Sequence, residues 1–407
     1  MLRFYNSLSR RIEKFAPVSG KAVKIYTCGP TVYARPHIGN YRTYAFEDTV
    51  KRHLLNKGYR VRHVMNITDF DNTILRAVRK TGMPRRRLTA IAEREFRRDL
   101  RALGAIPAEK YPHASEYAGR MAQAALALLK KGIAYKDESG RVFFDISKYR
   151  GYGELYGRKF RSGKRVMREG YFPWQAGDFM LFRPCRKSRI NAGCFETALG
   201  RGEPAWNVQC AAMSMDCLGS GIDISMGGMD NKFEHHENTR AIVESLTGKP
   251  CSKYWLHVRH LTVNGKKMSK SKGNVVMLPD LSARGLSGKA ARMLLLSVHY
   301  RKRLDFTWER AMEAKAGFAR LERNLSLLKR VRRKGGRGCA GDLEFAEESF
   351  NAAMDDDFDV PKAISIAGKL AERCAELDSA GKLSGADAKR ALALFRRFDS
   401  AIACLPL

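Results

Sequence analysis

The stretch "KAVKIYTCGPTVYARPHIGNYRTYAFEDTVKRHLLNKGYRVRHVMNITD" (Lys21–Asp69) decides the fold that this sequence predicts. It begins with "KAVKIYT", a short run rich in β-branched and aromatic residues, which predicts a strand. The following "GNYRTYAFEDTVKRHLLNKGY" has the periodicity of a helix that stops at Gly58, and "RVRHVM" predicts a second strand. A strand, a helix and a strand in this order form a βαβ unit, so we predict an α/β protein with a parallel sheet.

The middle of the chain divides into segments with different patterns. Residues 89–131 predict helices, whereas residues 140–180 are rich in Gly and Tyr and predict an inserted, partly β module. "GIDISMGGMD" (221–230) predicts another strand of the sheet, and residues 231–248 predict a helix closed by Gly248. The parallel sheet is therefore expected to be completed after the inserted module.

The last part of the chain is predicted to be mainly helical. "YWLHVRHLTVNGKKMSKSKGN" (254–274) predicts a hairpin followed by a basic, mobile loop, and helical patterns begin at Ser287. "KRVRRKGGRG" (329–338) is a candidate linker, after which residues 342–407 predict further helices.

Composition limits the class of protein. The formal net charge of the 407-residue chain is +33, which favours a polyanionic partner such as nucleic acid, although a surface charged for solubility stays open. Hydrophobic residues at 44% and charged residues at 29% indicate a globular chain of two or three domains. The sequence has neither an apolar run of about 20 residues nor a secretory signal. Nine irregularly spaced cysteines predict reduced thiols, a few of them ligands, in a cytoplasmic protein without a membrane partner.

The motif "HIGN" (His37–Asn40) lies where the first strand gives way to the helix. A helix N-terminus presents free N–H groups to phosphates, and Gly39 allows a nucleotide to approach the backbone closely. His37 can donate a proton or a hydrogen bond to a phosphate oxygen. Taken alone, these four residues are a weak signal, and a structural turn with a surface histidine is the better interpretation.

A second motif, "KKMSKSKGN" (Lys266–Asn274), places four lysines and two serines in one turn. Lysines in such a loop can neutralise a triphosphate during nucleotidyl transfer. A solvated basic loop is the alternative. The presence of both motifs in one chain favours the nucleotide site.

With these motifs the sequence resembles the class I aminoacyl-tRNA synthetases and, more narrowly, cysteinyl-tRNA synthetase. The likeness extends from "FYNSLSRR" near the start to about Ile402. The stretches that carry it, beside "HIGN" and "KMSKS", are "YTCGPTVY", "NITDFDN", "WNVQCAAMS", "GGMDNKFEHHEN" and "MDDDFDVPKA". The resemblance implies a Rossmann-like catalytic domain, an inserted module and a C-terminal all-helical bundle. It also implies an ATP-dependent ligase that forms cysteinyl-adenylate, with Mg²⁺ on the pyrophosphate, and transfers cysteine to the 3′ end of tRNA.

The resemblance implies one Zn²⁺ ion, held by the thiolates of Cys28 and Cys210 and the imidazole of His235. In the family the fourth ligand is commonly a glutamate four residues after that histidine, where this chain has Thr239. A hydroxyl is a poor zinc ligand, so we expect three protein ligands and an open position that binds the thiol of cysteine. His236 or the following glutamate turning toward the ion is the alternative.

Other site residues follow from the resemblance, position by position. The expected catalytic residues are His37, Asn40, Lys267 and Lys270. The expected ATP-binding residues are His37, Gly39, Asn40, Gly228, Asp230 and Lys270. The expected substrate-binding residues are Gly29, Thr68 and Trp206, although a core tryptophan stays open for the last.

The expected domain division is a catalytic domain interrupted by a module and followed by helices. The segments are a first catalytic half (1–135), the connective module (136–205), a second catalytic half (206–280), a stem-contact helical region (281–335) and a helical bundle (336–407). The family's anticodon-binding domain would begin about where this chain ends. We therefore expect tRNA contacts through the acceptor end and the basic surface, by a monomeric enzyme.

Two other functions stay open at this point. A cysteine ligase with a small amine acceptor, like that of the mycothiol pathway, resembles the same family and tends to carry Thr at the fourth-ligand position. A non-catalytic RNA-binding relative is the third possibility, which the intact "HIGN" and "KMSKS" motifs disfavour. The high positive charge favours tRNA as the acceptor.

Overall fold

The structure, a computed structural model, describes residues 1–158, 177–185, 194–268, 273–334 and 338–407. Its strands are β1 (Arg3–Asn6), β2 (Arg11–Lys14), β3 (Ala22–Thr27), β4 (Arg60–Met65), β5 (Ala134–Lys136), β6 (Val142–Phe144), β7 (Phe179–Pro184), β8 (Gly202–Pro204), β9 (Ile222–Gly228), β10 (Ser252–Val258), β11 (Leu261–Val263), β12 (Lys266–Lys267) and β13 (Leu304–Phe306).

The helices alternate with the strands in the first part of the chain and dominate its end. They are α1 (Ile38–Asn56), α2 (Asn72–Thr81), α3 (Arg85–Ala102), α4 (Ala118–Lys130), α5 (Trp206–Leu218), α6 (Met229–Asn231), α7 (Glu237–Thr247), α8 (Leu278–Ala283), α9 (Gly288–Leu295), α10 (Trp308–Leu328), α11 (Ala340–Asp355), α12 (Val360–Ser379) and α13 (Gly385–Ile402).

The central sheet has the strand order β10-β9-β3-β4, and each neighbouring pair is parallel. Its strands are buried on both faces because helices cover both sides, which is why Val23, Ile25 and Ile224 are fully buried. The predicted parallel, Rossmann-like sheet is therefore confirmed. In the sheet, β4 lies on one side of β3 and β9 lies on the other, so the strand order reverses at β3. The crevice at the carboxyl ends of β3 and β9 is therefore the expected ligand site.

The inserted module contains a second, antiparallel sheet in the order β5-β6-β7-β8. Pro184 of β7 and Phe195 both lie beside Gly202 of β8, which brings the neighbouring Cys185 and Cys194 together. These two cysteines form a disulfide, so the prediction of reduced thiols is wrong for this pair.

Three local predictions are corrected by the structure. The predicted hairpin over residues 254–274 is confined to β11 and β12, because the apolar β10 pairs in parallel with β9 in the central sheet. The helical pattern after Ser287 is interrupted by β13, which pairs with β11. The helix predicted from residue 231 begins regularly only at Glu237, after a wider turn over Lys232–His236.

The helices α10 to α13 form the predicted C-terminal helical bundle, and its core is continuous with that of the central sheet. In the bundle, Phe350 stacks on Phe398 with ring centroids 4.0 Å apart. The buried Arg292 of α9 joins the two parts, since it pairs with Asp48 of α1 at 2.6 Å and donates to the carbonyl of Ile402. Within the described ranges, each helix is too short or too polar to span a bilayer.

Candidate functional site

A cavity of about 480 Å³ opens at the carboxyl ends of the central strands, where the strand order predicts a ligand site. The site residues expected from the sequence that line it are Cys28, Gly29, His37, Gly39, Asn40, Thr68, Trp206, Cys210, Gly228, Asp230, His235 and Lys267. Thr239 is not among the described residues that line this cavity. Lys270 lies outside the described residues.

His37 is the N-terminal capping residue of α1. Its Nδ1 accepts a hydrogen bond from the backbone N–H of Asn40 at 3.3 Å, and the Asn40 side chain accepts from the backbone N–H of His37 at 3.1 Å. A neutral ring that accepts at Nδ1 carries its proton at Nε2. A Cβ on Gly39 would lie 3.1 Å from the His37 ring, so the glycine makes room for this ring over the first helical turn.

Three residues from three different elements form a group that can hold a metal ion. Cys28 follows β3, Cys210 lies within α5 and His235 lies in the turn before α7. The two Sγ atoms are 3.7 Å apart, and Nε2 of His235 lies 3.0 Å from Sγ of Cys210. All three ligand atoms lie within 4.8 Å of one another, and the three residues are buried.

The two thiols of this group differ in their tendency to ionise. Burial opposes ionisation of Cys210, but hydrogen bonding to Cys28 and the adjacent His235 bring its pKa well below the usual value. The hydrogen bond to Cys210, followed by burial, raises the pKa of Cys28. Cys210 therefore supplies the first thiolate of the pair.

His236 contacts the other side of the group. Its Nε2 lies 3.0 Å from Sγ of Cys28, and its Nδ1 lies 2.9 Å from Nε2 of His257. Nδ1 of His257 lies 2.8 Å from the hydroxyl of Ser7, which completes a buried chain behind Cys28. His257 and Ser7 were not predicted from the sequence, because neither lies in a motif that would suggest a contact across the chain.

The residues after His236 face different surroundings. The carboxylate of Glu237 accepts from the backbone N–H of Tyr156 at 2.9 Å and lies 3.7 Å from the guanidinium of Arg240. The hydroxyl of Thr239 is buried and has no hydrogen-bond partner among the described residues. Of the two alternatives to an open metal position, only His236 is in contact with the group.

Asn66 is a further residue that the sequence analysis did not single out, although it begins the quoted "NITDFDN". Its Oδ1 accepts from the backbone N–H of Gly29 at 3.1 Å and lies 3.6 Å from Sγ of Cys210. Its amide group donates to the hydroxyl of Thr68 at 3.2 Å. Asn66 thus connects two expected substrate-binding residues to a thiol of the metal group.

Trp206 begins α5 and lies at the cavity. Its ring stacks on that of His235, with centroids 4.0 Å apart and an angle of 16° between the planes. The side chain remains 36% exposed, so Trp206 is not a core tryptophan. It covers one face of a metal-group ligand.

Comparisons with known proteins identify the family of the chain. The family model described as the catalytic domain of class I (C) tRNA synthetases matches residues 14–316. A cysteine–tRNA ligase of Chlamydia muridarum is 39% identical over 423 residues, covering 100% of this chain and 88% of its own. The cysteine–tRNA ligase of Methanosarcina mazei is 39% identical over 384 residues, covering 91% of this chain and 80% of its own.

Solved structures support the fold. The LeuRS of Agrobacterium radiobacter K84, in a ternary complex with tRNA and LeuAMS, superposes with a TM-score of 0.69 at 13% identity, over 96% of this chain and 87% of its own. The methionyl-tRNA synthetase of Mycobacterium tuberculosis, in complex with methionyl-adenylate, superposes with a TM-score of 0.65 at 16% identity, over 94% of this chain and 90% of its own. At such identities the likeness concerns the fold alone.

Proposed function

The chain belongs to the cysteinyl-tRNA synthetase family of class I tRNA synthetases, and on this basis we propose that it activates L-cysteine with ATP and transfers it to the 3′ end of tRNA(Cys). The observation that carries the proposal is the meeting of two chemistries in one cavity. A group suited to a metal ion lies on one side, and the N-terminus of α1 with His37 lies on the other. A thiol-bearing amino acid and a nucleotide can therefore meet there.

The metal group fits zinc by its donors and by its spacing. Thiolate and imidazole are preferred zinc ligands, and two thiolates about 2.3 Å from a tetrahedral ion lie about 3.8 Å apart. The Cys28 and Cys210 sulfurs are 3.7 Å apart. When bound, zinc would supply a position that coordinates the substrate thiol far better than the hydroxyl of serine.

The residues on the nucleotide side have separate roles. His37 holds its proton at Nε2 because Nδ1 is engaged by Asn40, so it can donate to a phosphate oxygen as charge develops. The first turn of α1 favours negative charge at the same place. We assign Lys267 and Lys270 to the departing pyrophosphate, together with Mg²⁺, and Gly228 and Asp230 to the adenosine.

We keep the remaining expectations as parts of this proposal. We assign Trp206, Gly29 and Thr68 to the cysteine side of the cavity, and we keep the five-segment domain division as a proposal. We propose a monomer in the cytoplasm, where a tRNA acceptor is used. The small-amine acceptor is not favoured, because the relatives that match most of the chain are named as tRNA ligases.

Two linked assays test the function. With purified protein, cysteine-dependent exchange of pyrophosphate into ATP measures activation, and transfer of labelled cysteine to tRNA or to glucosaminyl-inositol identifies the acceptor. We expect exchange with cysteine and not with serine, and charging of tRNA alone. Exchange without tRNA charging at saturating enzyme would refute the tRNA assignment.

A further inference from the structure

We propose that the outward surface of α2 and α3 binds the phosphate backbone of the tRNA arm whose 3′ end enters the cavity. This inference rests on the proposed function and adds to it a location for the RNA contact. We define the basic face as the exposed cationic residues of these two helices. They are Arg76, Arg79, Lys80, Arg86, Arg87, Arg94, Arg98 and Arg101.

The acidic residues of α3 neutralise this face little, because each is paired mainly with residues outside it. Glu93 binds His113 at 2.8 Å, and Glu95 lies 4.0 Å from the guanidinium of Arg35. Asp99 is buried and accepts hydrogen bonds from Arg35 and Tyr41. Apart from Glu95, whose side chain is 35% exposed, the exposed charges of residues 72–104 are therefore positive.

The helical register places four of these arginines along one stripe. Arg87, Arg94, Arg98 and Arg101 are separated by seven, four and three residues, which keeps them on one side of α3. At a rise of about 1.5 Å per residue the stripe is about 21 Å long. Arginines in such a row can contact successive phosphates of one RNA strand.

Both ends of α3 are fastened to the walls of the cavity. Near its start, Arg85 donates to the carbonyl of Asp69 at 2.9 Å, one residue after the cavity-lining Thr68. Near its end, Asp99 accepts from Nε of the cavity-lining Arg35 at 2.7 Å. The basic face therefore lies about one helix diameter, roughly 10 Å, beyond the cavity wall. An RNA end that enters the cavity beside α3 brings its phosphates close to this face.

The C-terminal bundle differs from this surface, although it also carries many cations. There, several exposed arginines are paired across helices with carboxylates. Examples are Arg320 with Glu372 at 3.3 Å, Arg373 with Asp342 at 3.4 Å and Arg397 with Glu347 at 2.8 Å. By contrast, Arg87, Arg94 and Arg101 have no carboxylate within 4.0 Å among the described residues, and the one nearest to Arg98 is Asp99 at 4.0 Å.

Three triple variants test the basic face. The first, R87A/R94A/R101A, removes three charges at exposed helical positions where alanine is tolerated well. The second, K369A/K389A/R396A, removes three exposed charges from α12 and α13 and serves as a matched control. The third, R87K/R94K/R101K, keeps the charge of the stripe. Circular dichroism and the rate of cysteine-dependent pyrophosphate exchange, which needs no tRNA, verify that each variant is folded and active.

The assays are the Kd for tRNA as a function of salt and the KM for tRNA in charging. Each lost phosphate contact weakens binding about five- to eightfold at 0.1 M salt, so R87A/R94A/R101A should weaken it by roughly two orders of magnitude and lower the slope of log K against log salt by about 2 to 3. The control and the lysine variant should remain within a few-fold of wild type. The affinities for cognate and non-cognate tRNA should fall by the same factor, since phosphates carry no sequence information.

Several results would overturn the inference. An unchanged Kd for the alanine variant, or an equal loss in the control, would show that the basic face is not the contact surface. A loss confined to cognate tRNA would rule out simple phosphate contacts. If instead the wild-type protein binds tRNA but never charges it, the proposed function fails while the basic face stands.

Discussion

Replacing Arg42 tests how the cavity is held in shape. This side chain of α1 is 1% exposed, and its guanidinium donates to backbone carbonyls at two sites. After the end of β10 the guanidinium donates to the carbonyls of Arg259 at 3.0 Å and His260 at 3.1 Å. In the turn before β13 the guanidinium donates to the carbonyls of Val298 at 3.4 Å, His299 at 3.2 Å and Lys302 at 2.6 Å. Burial lowers the pKa of Arg42 to about 10, so the group remains charged at neutral pH.

The expected cost of Arg42→Met follows from these contacts, in which four N–H groups of the guanidinium serve five carbonyls. Each hydrogen bond contributes about 1 kcal/mol net to stability, and the carbonyls that lose their donor stay buried, which adds to the cost. The variant no longer has to desolvate a guanidinium, which offsets part of that cost. We therefore expect the free energy of unfolding to fall by about 3 to 5 kcal/mol. Arg42→Lys keeps up to three donors and should lose about half as much.

The assay is urea unfolding followed by near-UV circular dichroism, together with the KM for ATP in pyrophosphate exchange. Because Arg259 and His260 line the cavity, Arg42→Met should also raise the KM for ATP. The control is Arg60→Met, an exposed arginine whose loss should change stability by less than about 0.5 kcal/mol. If Arg42→Met unfolds within about 1 kcal/mol of wild type, the carbonyl network does not stabilise the fold as we infer.

Three further changes have defined outcomes. Burial raises the pKa of Glu47 well above its usual range, and neither carboxyl oxygen has a hydrogen-bond partner among the described residues. Because the folded pKa lies above the unfolded one, Glu47 lowers stability increasingly as pH rises, so Glu47→Met should stabilise by about 1 to 3 kcal/mol at pH 8 and by less at pH 4 in urea titrations. Thr239→Glu should slow the removal of zinc by a chelator, because it places a carboxylate one helical turn after His235; unchanged removal would place residue 239 away from the ion. His37→Ala should lower the rate of adenylate formation by about 100-fold or more with little change in cysteine binding, and equal losses in both would contradict its role at the phosphate.

The fold was predictable from sequence where periodicity was long and the order of elements was informative. The βαβ pattern of residues 21–69 predicts the parallel sheet, because a helix of the length of α1 shows its period over several turns. The three-residue β13 has no such period and was included in a helix. The apolar β10 resembles a hairpin strand until its parallel partner is known. The Cys185–Cys194 pair depends on the strand β8, which spacing along the chain does not reveal.

The site was predictable where residues lie in motifs and not where they act through contacts across the chain. Cys28, Cys210 and His235 were identified by the family resemblance, since no spacing rule connects residues from three separate elements. Asn66 belongs to a recognised stretch, but its contacts with Gly29 and Cys210 arise only when the ends of β3 and β4 meet α5. The same holds for His257, whose neighbours His236 and Ser7 lie 21 and 250 residues away along the chain.

Two measurements on the purified protein and on its Cys210→Ser variant test the recognition of the substrate sulfur most directly. They are the metal content and the ratio of the pyrophosphate-exchange rates with cysteine and with serine. We predict one zinc ion per wild-type chain with strong preference for cysteine, and loss of both the ion and the preference in the variant. Wild-type protein that lacks zinc yet rejects serine, or a variant that keeps its preference without the ion, would contradict the account.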